Sequence, residues 1–288
     1  MATVLDEPPR TSNRHAVEAE LNYLAPGGER PVNYTFEPPD GTPWQSGELQ
    51  PTRVTIRDAR ALAADGEFSL DRSGFQLVSH QSAVTDFGDD SVIRLVYYPE
   101  AEALLRDATG AEKVVIFDHT LRDSAGGSRA NASLREPVRR VHNDQTFVSG
   151  PRRVRDHLPA DEAEQRLRNR FAIVNLWRPL AVVDQLPLAL CDARSIAHDD
   201  LVPSDLVYRD KVGETYSFIA NPAHRWYYFP RLRPSEALLL KIYDSLDDGT
   251  ARLTAHTAFD DPHTAADAPP RRSIELRALL FWPENAHA

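Results

Sequence analysis

Hydrophobic positions along this chain change their period several times. Short β-type runs dominate the second half, at residues 172–176, 180–183, 188–191, 215–219, 226–229, 237–243, 252–259 and 273–282. Residues 113–118 (KVVIFD) form an earlier dense β-prone run, expected to be a buried strand. Phe75, Leu77 and Ser79 alternate with Gln76 and Val78, the pattern of an edge strand. Two segments switch to helical spacing. In 98–108, Ala101, Leu104 and Leu105 share a face and Pro99 suits the first turn. In 159–171, Ala163, Leu167 and Phe171 recur every four residues behind Asp161, Glu162 and Glu164, which favour a helix N-terminus.

Turn signals punctuate these runs, among them Pro26-Gly27-Gly28, Pro38-Pro39-Asp40-Gly41 and Asp89-Asp90. β-runs spaced by about ten residues predict an all-β sandwich or barrel with a few helices outside it. The Gly/Ser/Asn stretch 124–133 is expected to be an exposed loop, because strands resume on both sides of it. Residues 1–16 are polar and proline-containing, as in a loose tail, which leaves 17–288 as a single domain.

Composition narrows the function. Of 288 residues 41% are hydrophobic, enough for a sizeable core, and a formal charge of −10 argues against an extended nucleic-acid surface. A local arginine still suits a small anion: only Lys113, Lys211 and Lys241 are lysines, so nearly all the basic groups are planar forks. Cys191 is the only cysteine, which excludes an internal disulfide and a thiolate metal cluster. No apolar stretch is long enough to span a bilayer and the first fifteen residues lack an apolar leader, so the cytoplasm is the expected address. Nothing in the sequence specifies an oligomer.

Of ten histidines, His15 and His287 lie in the tails. His142 stands two residues before Asp144 (VHND), and on a strand such residues face the same way and can grip one ion. His256, in a late β-prone run before Asp260-Asp261-Pro262, is the best candidate for a second imidazole. Two imidazoles and a carboxylate on one side of a metal leave the opposite positions open, the arrangement of non-haem iron(II) oxygenases. Fifteen residues later, Arg271 and Ser273 share a strand face, an Arg fork plus a hydroxyl of the kind a buried dicarboxylate needs at its far end. Arg272 and Arg277 compete with Arg271 for that role.

Asn175, Trp177 and Arg178 (NLWRP) and Tyr227 are candidate substrate contacts; Arg178 would otherwise pair with an aspartate such as Asp184 or Asp192. His119 is expected to be structural, His224 structural or substrate-adjacent rather than a ligand, and Cys191 a small buried thiol. Lys241, between Leu240 and Ile242, either faces the barrel interior or forms the exposed half of an alternating strand.

The phrases LNYL (21–24), FDHTLR (117–122), VHNDQT (141–146), NLWRP (175–179), HRWYYFP (224–230), HTAFDDP (256–262) and RRSIELR (271–277) occur in that order across nearly the whole chain. In this set the chain resembles the fungal and bacterial hydroxylase/desaturase family that includes the fungal gibberellin desaturase, with members described as AsaB-like or CmcJ/NvfI-like. The resemblance implies a double-stranded β-helix (jelly roll) with flanking helices, and iron(II), 2-oxoglutarate and O2 as metal and cosubstrates. It implies iron held by His142, Asp144 and His256, with Arg271 and Ser273 on the distal carboxylate of 2-oxoglutarate. The reaction implied is hydroxylation, desaturation or cyclisation of a small molecule, expected to be a secondary metabolite with a carboxylate or other polar handle. A zinc hydrolase or a non-catalytic metal-binding jelly roll is the alternative, although no HExxH is present. A methyltransferase would need a Gly-rich turn opening a helix, which Gly126-Gly127 does not provide.

Overall fold

The computed structural model describes residues 16–127 and 134–283. Period-two and continuous apolar runs become strands β1 (Ala16–Leu24), β2 (Val32–Tyr34), β3 (Leu49–Asp58), β4 (Phe75–Ser79), β5 (Lys113–Asp123), β6 (Leu134–Arg135) and β7 (His142–Asn143). The second half adds β8 (Phe171–Pro179), β9 (Leu188–Cys191), β10 (Leu201–Val207), β11 (Val212–Phe218) and β12 (Trp226–Tyr228). β13 (Glu236–Asp244), β14 (His256–Ala258) and β15 (Arg272–Phe281) complete the set.

These strands form two sheets. One runs β1-β3-β12-β9-β14-β7-β11-β10-β2 and the other β4-β13-β8-β15-β5-β6. The chain crosses between them repeatedly, with β7 in the first, β8 in the second and β9 in the first again, as in the expected jelly roll. β4 lies at an edge, as its alternation predicts. The inner faces close on a core that includes Ile173, Trp177, Leu190, Tyr227, Leu238, Leu240, Leu279 and Phe281. Each such side chain contributes roughly 1.5–3 kcal/mol when fully buried.

β8 and β15 are central strands and alternate cleanly between two environments. Ala172, Val174, Leu176, Ile274, Leu276, Ala278 and Leu280 face outward onto a second core, against Tyr97, Ala101 and Leu105. Those helical residues belong to Ile93–Tyr97, a π-helical turn, and to helix Tyr98–Thr109. The helix bears out its expectation: Pro99 is in the first turn, and Gly110 ends it in the left-handed region at φ 69°. A third core covers the outside of the first sheet, with Val17, Leu21, Tyr23, Ile56, Cys191 and Trp226.

Other expectations are corrected. The helix expected over 159–171 covers only Ala160–Arg166, because Phe171 is drawn into β8, where its ring stacks on Tyr243 at 5.0 Å. Residues 180–183 form no strand; Leu180 N–H donates to Arg272 and Val183 N–H to Leu232, so the segment is held irregularly by two other strands' connections. The run 252–259 narrows to β14. Helix Ser149–His157, with Pro151 in its first turn, was not anticipated, nor were β1 and β3. Ala16, placed in the tail by sequence, starts β1; residues 1–15, His15 among them, lie outside the described residues, as do His287 and most of the 124–133 loop.

Candidate metal centre

Cross-strand register builds the site. His256 on β14 pairs with His142 on β7 and with Leu190 on β9, so both imidazoles take the inward direction of Leu190. Their ring centroids are 4.3 Å apart. Asp144 follows β7 on the same side, and one donor atom from each of His142, Asp144 and His256 fits within 4.8 Å of the others. Between them Asn143 points the opposite way and donates to the carbonyls of Gln145 and Ile242, at 2.7 and 2.8 Å, which pins the His-x-Asp turn. Thr146 and Ser149 then exchange backbone-to-hydroxyl bonds of 2.7 and 2.9 Å and start the next helix.

Hydrogen bonds orient the donors. The Arg140 carbonyl lies 2.8 Å from His142 Nδ1 and accepts its proton, which turns Nε2 towards Asp144 Oδ1 at 3.5 Å. The other carboxylate oxygen, Oδ2, is held from behind by Asn175 Nδ2 at 3.4 Å and Arg277 Nη1 at 3.3 Å. Burial opposes ionisation of Asp144, but the His142 hydrogen bond and the Arg277 charge outweigh it and hold the carboxyl well below the usual range. Burial, followed by the neighbouring His142, pushes His256 down to about 4. One anionic oxygen and an imidazole kept neutral at physiological pH are the protonation states a divalent metal requires. The donor set therefore fits iron(II), with one side open.

Arg271, immediately before β15, and Ser273 within it are both buried and face inward. Arg271 Nη1 donates to the Leu186 carbonyl at 2.6 Å and its guanidinium lies 5.5 Å from the Trp177 ring centre. Its Nε has no hydrogen-bond partner, and neither has Ser273 Oγ. Burial, followed by the Arg122 charge, pushes the guanidinium down to about 9. A buried cation and a buried hydroxyl, both with unused hydrogen-bonding capacity, fit the distal carboxylate of a dicarboxylic acid. Arg272 points outward towards Asp123 at 3.7 Å, with 60% of its side chain exposed, so of the two neighbours Arg271 is the one that faces inward.

The remaining candidates separate by strand face. Asn175 reaches the centre through Asp144, and Trp177 forms the floor under Arg271. Tyr227 faces the inner core, where its ring packs against Phe68 and Phe75 at 4.9 and 6.2 Å. The substrate contact expected of Arg178 is corrected: period two turns it to the outer face of β8. There it donates to Tyr97 Oη at 3.1 Å and to the His80 and Pro234 carbonyls at 3.0 and 2.5 Å. Asp184 and Asp192, its alternative partners, pair with Arg231 and with Arg194 and Arg225. His119 bonds Tyr98, His224 bonds Tyr23 and Asp200, and Lys241 is buried on the outer face against Asp71 and Asp244.

Glu275 and Arg122 enter the site beyond the residues expected there, and Arg277, expected as a rival of Arg271 for the carboxylate, instead stands behind Asp144. Glu275 takes two bonds from Arg122, at 2.9 and 2.7 Å, and Arg277 joins Asp118 at 2.7 Å to Asp144. The signal was available: Ser273, Glu275 and Arg277 occupy alternate positions of β15 and share its inner face, with Arg271 one period before them.

Comparison with known proteins agrees with this geometry. A family profile described as "Oxidoreductase/YMDC permease-like domain" matches residues 21–281. The chain is 34% identical to the hydroxylase/desaturase efuI of Hormonema carpetanum, over 93% of this chain and 96% of that protein. It is 32% identical to the Fe(II)/2-oxoglutarate-dependent dioxygenase nvfI of Aspergillus novofumigatus, over 92% of this chain and 96% of that protein. A solved structure of the iron and alpha-ketoglutarate-dependent endoperoxidase NvfI superposes with a TM-score of 0.83 at 29% identity, covering 94% of this chain and 99% of that one. The zinc-hydrolase and non-catalytic alternatives fall away against these relatives, and the chain belongs to the Fe(II)/2-oxoglutarate-dependent hydroxylase/desaturase family.

Proposed function

We propose that iron(II) is held by His142, Asp144 and His256, that Arg271 and Ser273 hold the distal carboxylate of 2-oxoglutarate, and that the enzyme hydroxylates or desaturates a small secondary metabolite. The observation that carries this reading is one inner surface bearing both a three-donor cluster within 4.8 Å and, at the start of β15, a guanidinium and a hydroxyl with unsatisfied buried atoms. When bound, the iron supplies oxygen activation coupled to decarboxylation of 2-oxoglutarate. The protein's own part is positional. Arg277 and Asn175 occupy Asp144 Oδ2, so that Oδ1 alone is presented towards the imidazoles. Arg140 fixes the His142 tautomer. Trp177 and the surrounding core exclude water from the cosubstrate arm.

The substrate is proposed to carry a carboxylate or similar polar handle, which arginines near the site would meet. No helix among the described residues is long and apolar enough to cross a membrane. The cytoplasm is the proposed address, a reducing compartment that suits the lone thiol of Cys191.

The test needs no substrate. Metal-free protein is mixed anaerobically with iron(II) and then 2-oxoglutarate, and the visible charge-transfer band of the chelate is recorded. The band is expected in wild type and absent in His256→Ala. A folded, iron-binding wild type that gives no band refutes the assignment.

A further inference from the structure

A cavity of about 450 Å3 opens where β2, β6 and residues 136–140 meet. Arg140, in its wall, supplies the carbonyl that orients His142, and Leu186, also in its wall, supplies the carbonyl that Arg271 grips. Tyr34, Trp44 and Leu206 line its apolar side. Its polar side carries four arginines, 122, 135, 139 and 140, against one carboxylate, the exposed Glu136.

Three of these arginines already have partners that explain them. Arg122 forks onto Glu275 and donates to the Glu136 carbonyl, Arg139 pairs with Asp260 at 3.0 Å on the rim, and Arg140 bonds Asn33. Arg135 differs. Its Nε is buried and has no hydrogen-bond partner. Burial, followed by the charges of Arg122 and Arg277, pushes its guanidinium down from the ordinary arginine range, and Glu275 is itself occupied by Arg122. A half-buried guanidinium held among like charges, with a donor left over, lacks an anion.

We propose that Arg135 is the docking group for a carboxylate on an otherwise apolar substrate, whose body lies against Tyr34, Trp44 and Leu206 and whose reacting carbon is thereby brought to the metal centre. This rests on the oxygenase reading above and names its substrate class. β6 gives the group a fixed origin: Leu134 and Arg135 pair in parallel with Leu121 and Arg122 of β5, so the anion site is built on the sheet that carries Arg271 and Arg277. An Arg fork gives a carboxylate two parallel bonds, whereas an ester or amide of the same shape can accept only ordinary ones.

The experiment uses the anaerobic protein loaded with iron(II) and saturating 2-oxoglutarate, titrated calorimetrically with 2-naphthoate and with its methyl ester as probes. Wild type is expected to bind the acid at least tenfold more tightly than the ester. Arg135→Gln is expected to abolish that preference while keeping the visible 2-oxoglutarate band, Arg135→Lys to restore part of it, and Arg139→Gln to leave it intact. The proposal is overturned if wild type shows no preference for the acid, including no binding of either probe, or if the preference survives in Arg135→Gln. Loss of the 2-oxoglutarate band in folded Arg135→Gln overturns it too, by assigning Arg135 to the cosubstrate. Absence of the band in wild type is a separate outcome that strikes the oxygenase reading itself.

Discussion

Replacing Arg271 by methionine should leave the metal-free protein at least as stable while removing its response to 2-oxoglutarate. The guanidinium is 2% exposed, has no carboxylate partner, and is pushed down to about 9 by burial and then by Arg122. At about 1.36 kcal/mol per pH unit, that displacement from the ordinary arginine value corresponds to roughly 5 kcal/mol carried by the folded state, an upper bound. Two contacts offset it. The bond to the Leu186 carbonyl is worth about 1.5–3 kcal/mol and the desolvated contact with the Trp177 ring about 2 kcal/mol. Methionine fills a similar volume without the charge, so the net expected gain is about 0–1.5 kcal/mol, in keeping with other replacements of buried ions by apolar side chains, which are neutral to stabilising. The assay is thermal unfolding of both proteins, with and without 2-oxoglutarate at about 100 times the wild-type Kd. Wild type should gain about 2.7 kcal/mol from the ligand, a rise of roughly 5 °C or more, and Arg271→Met nothing. The sign with pH follows from the lowered pKa. The penalty is present in full while the arginine is charged, so the difference between the two proteins stays constant from pH 6 to about 8.5 and narrows only above about 9. A variant less stable than wild type that still responds to 2-oxoglutarate would refute the reasoning.

Gly150→Ala should cost about 1–3 kcal/mol in urea unfolding, because its Cβ would come under 3.0 Å from the Tyr243 ring, which Phe171 holds by stacking. Wild-type stability in that variant would show that the ring has room to move. Arg178→Met should destabilise by about 2–4 kcal/mol through the stranded His80 and Pro234 carbonyls, yet leave the ratio of succinate to product unchanged in the folded fraction. A changed ratio would return Arg178 to the substrate. Burial pushes the Cys191 thiol up to about 12, so it should react with a disulfide reagent only on unfolding; rapid labelling of the native protein would contradict this.

Local pattern made much of the chain legible. Tyr98–Thr109 was readable because Pro99 and the Ala101/Leu105 face act within one helix. β4 was readable as an edge from the alternation of its residue types, and it pairs only with β13. β1 and β3 carried the same signal, at Val17, Ala19, Leu21 and Tyr23 and at Val54 and Ile56, but interspersed charges and turn residues masked it. The helix read to Phe171 failed for a different reason. Helical spacing continued in the sequence, while packing against Tyr243 and Phe281 was worth more to Phe171 than another helical turn.

For the site, sequence by itself determined which donors are present and which share a strand face, since period two is a property of the extended backbone. It paired His142 with Asp144 and Arg271 with Ser273, and the ordered phrases carried the family. Tertiary structure decided what lies opposite. That β14 sits between β7 and β9, bringing His256 beside His142, depends on a sheet order no local pattern encodes. The same holds for Arg277 behind Asp144, for Arg178 on the far face of β8, and for Arg271 rather than Arg272 inside. The physical reason is common to all of them. Backbone geometry sets the direction of a side chain relative to its neighbours in sequence, but which face is interior, and what charge waits there, is set by the packing of two sheets whose strands lie far apart along the chain.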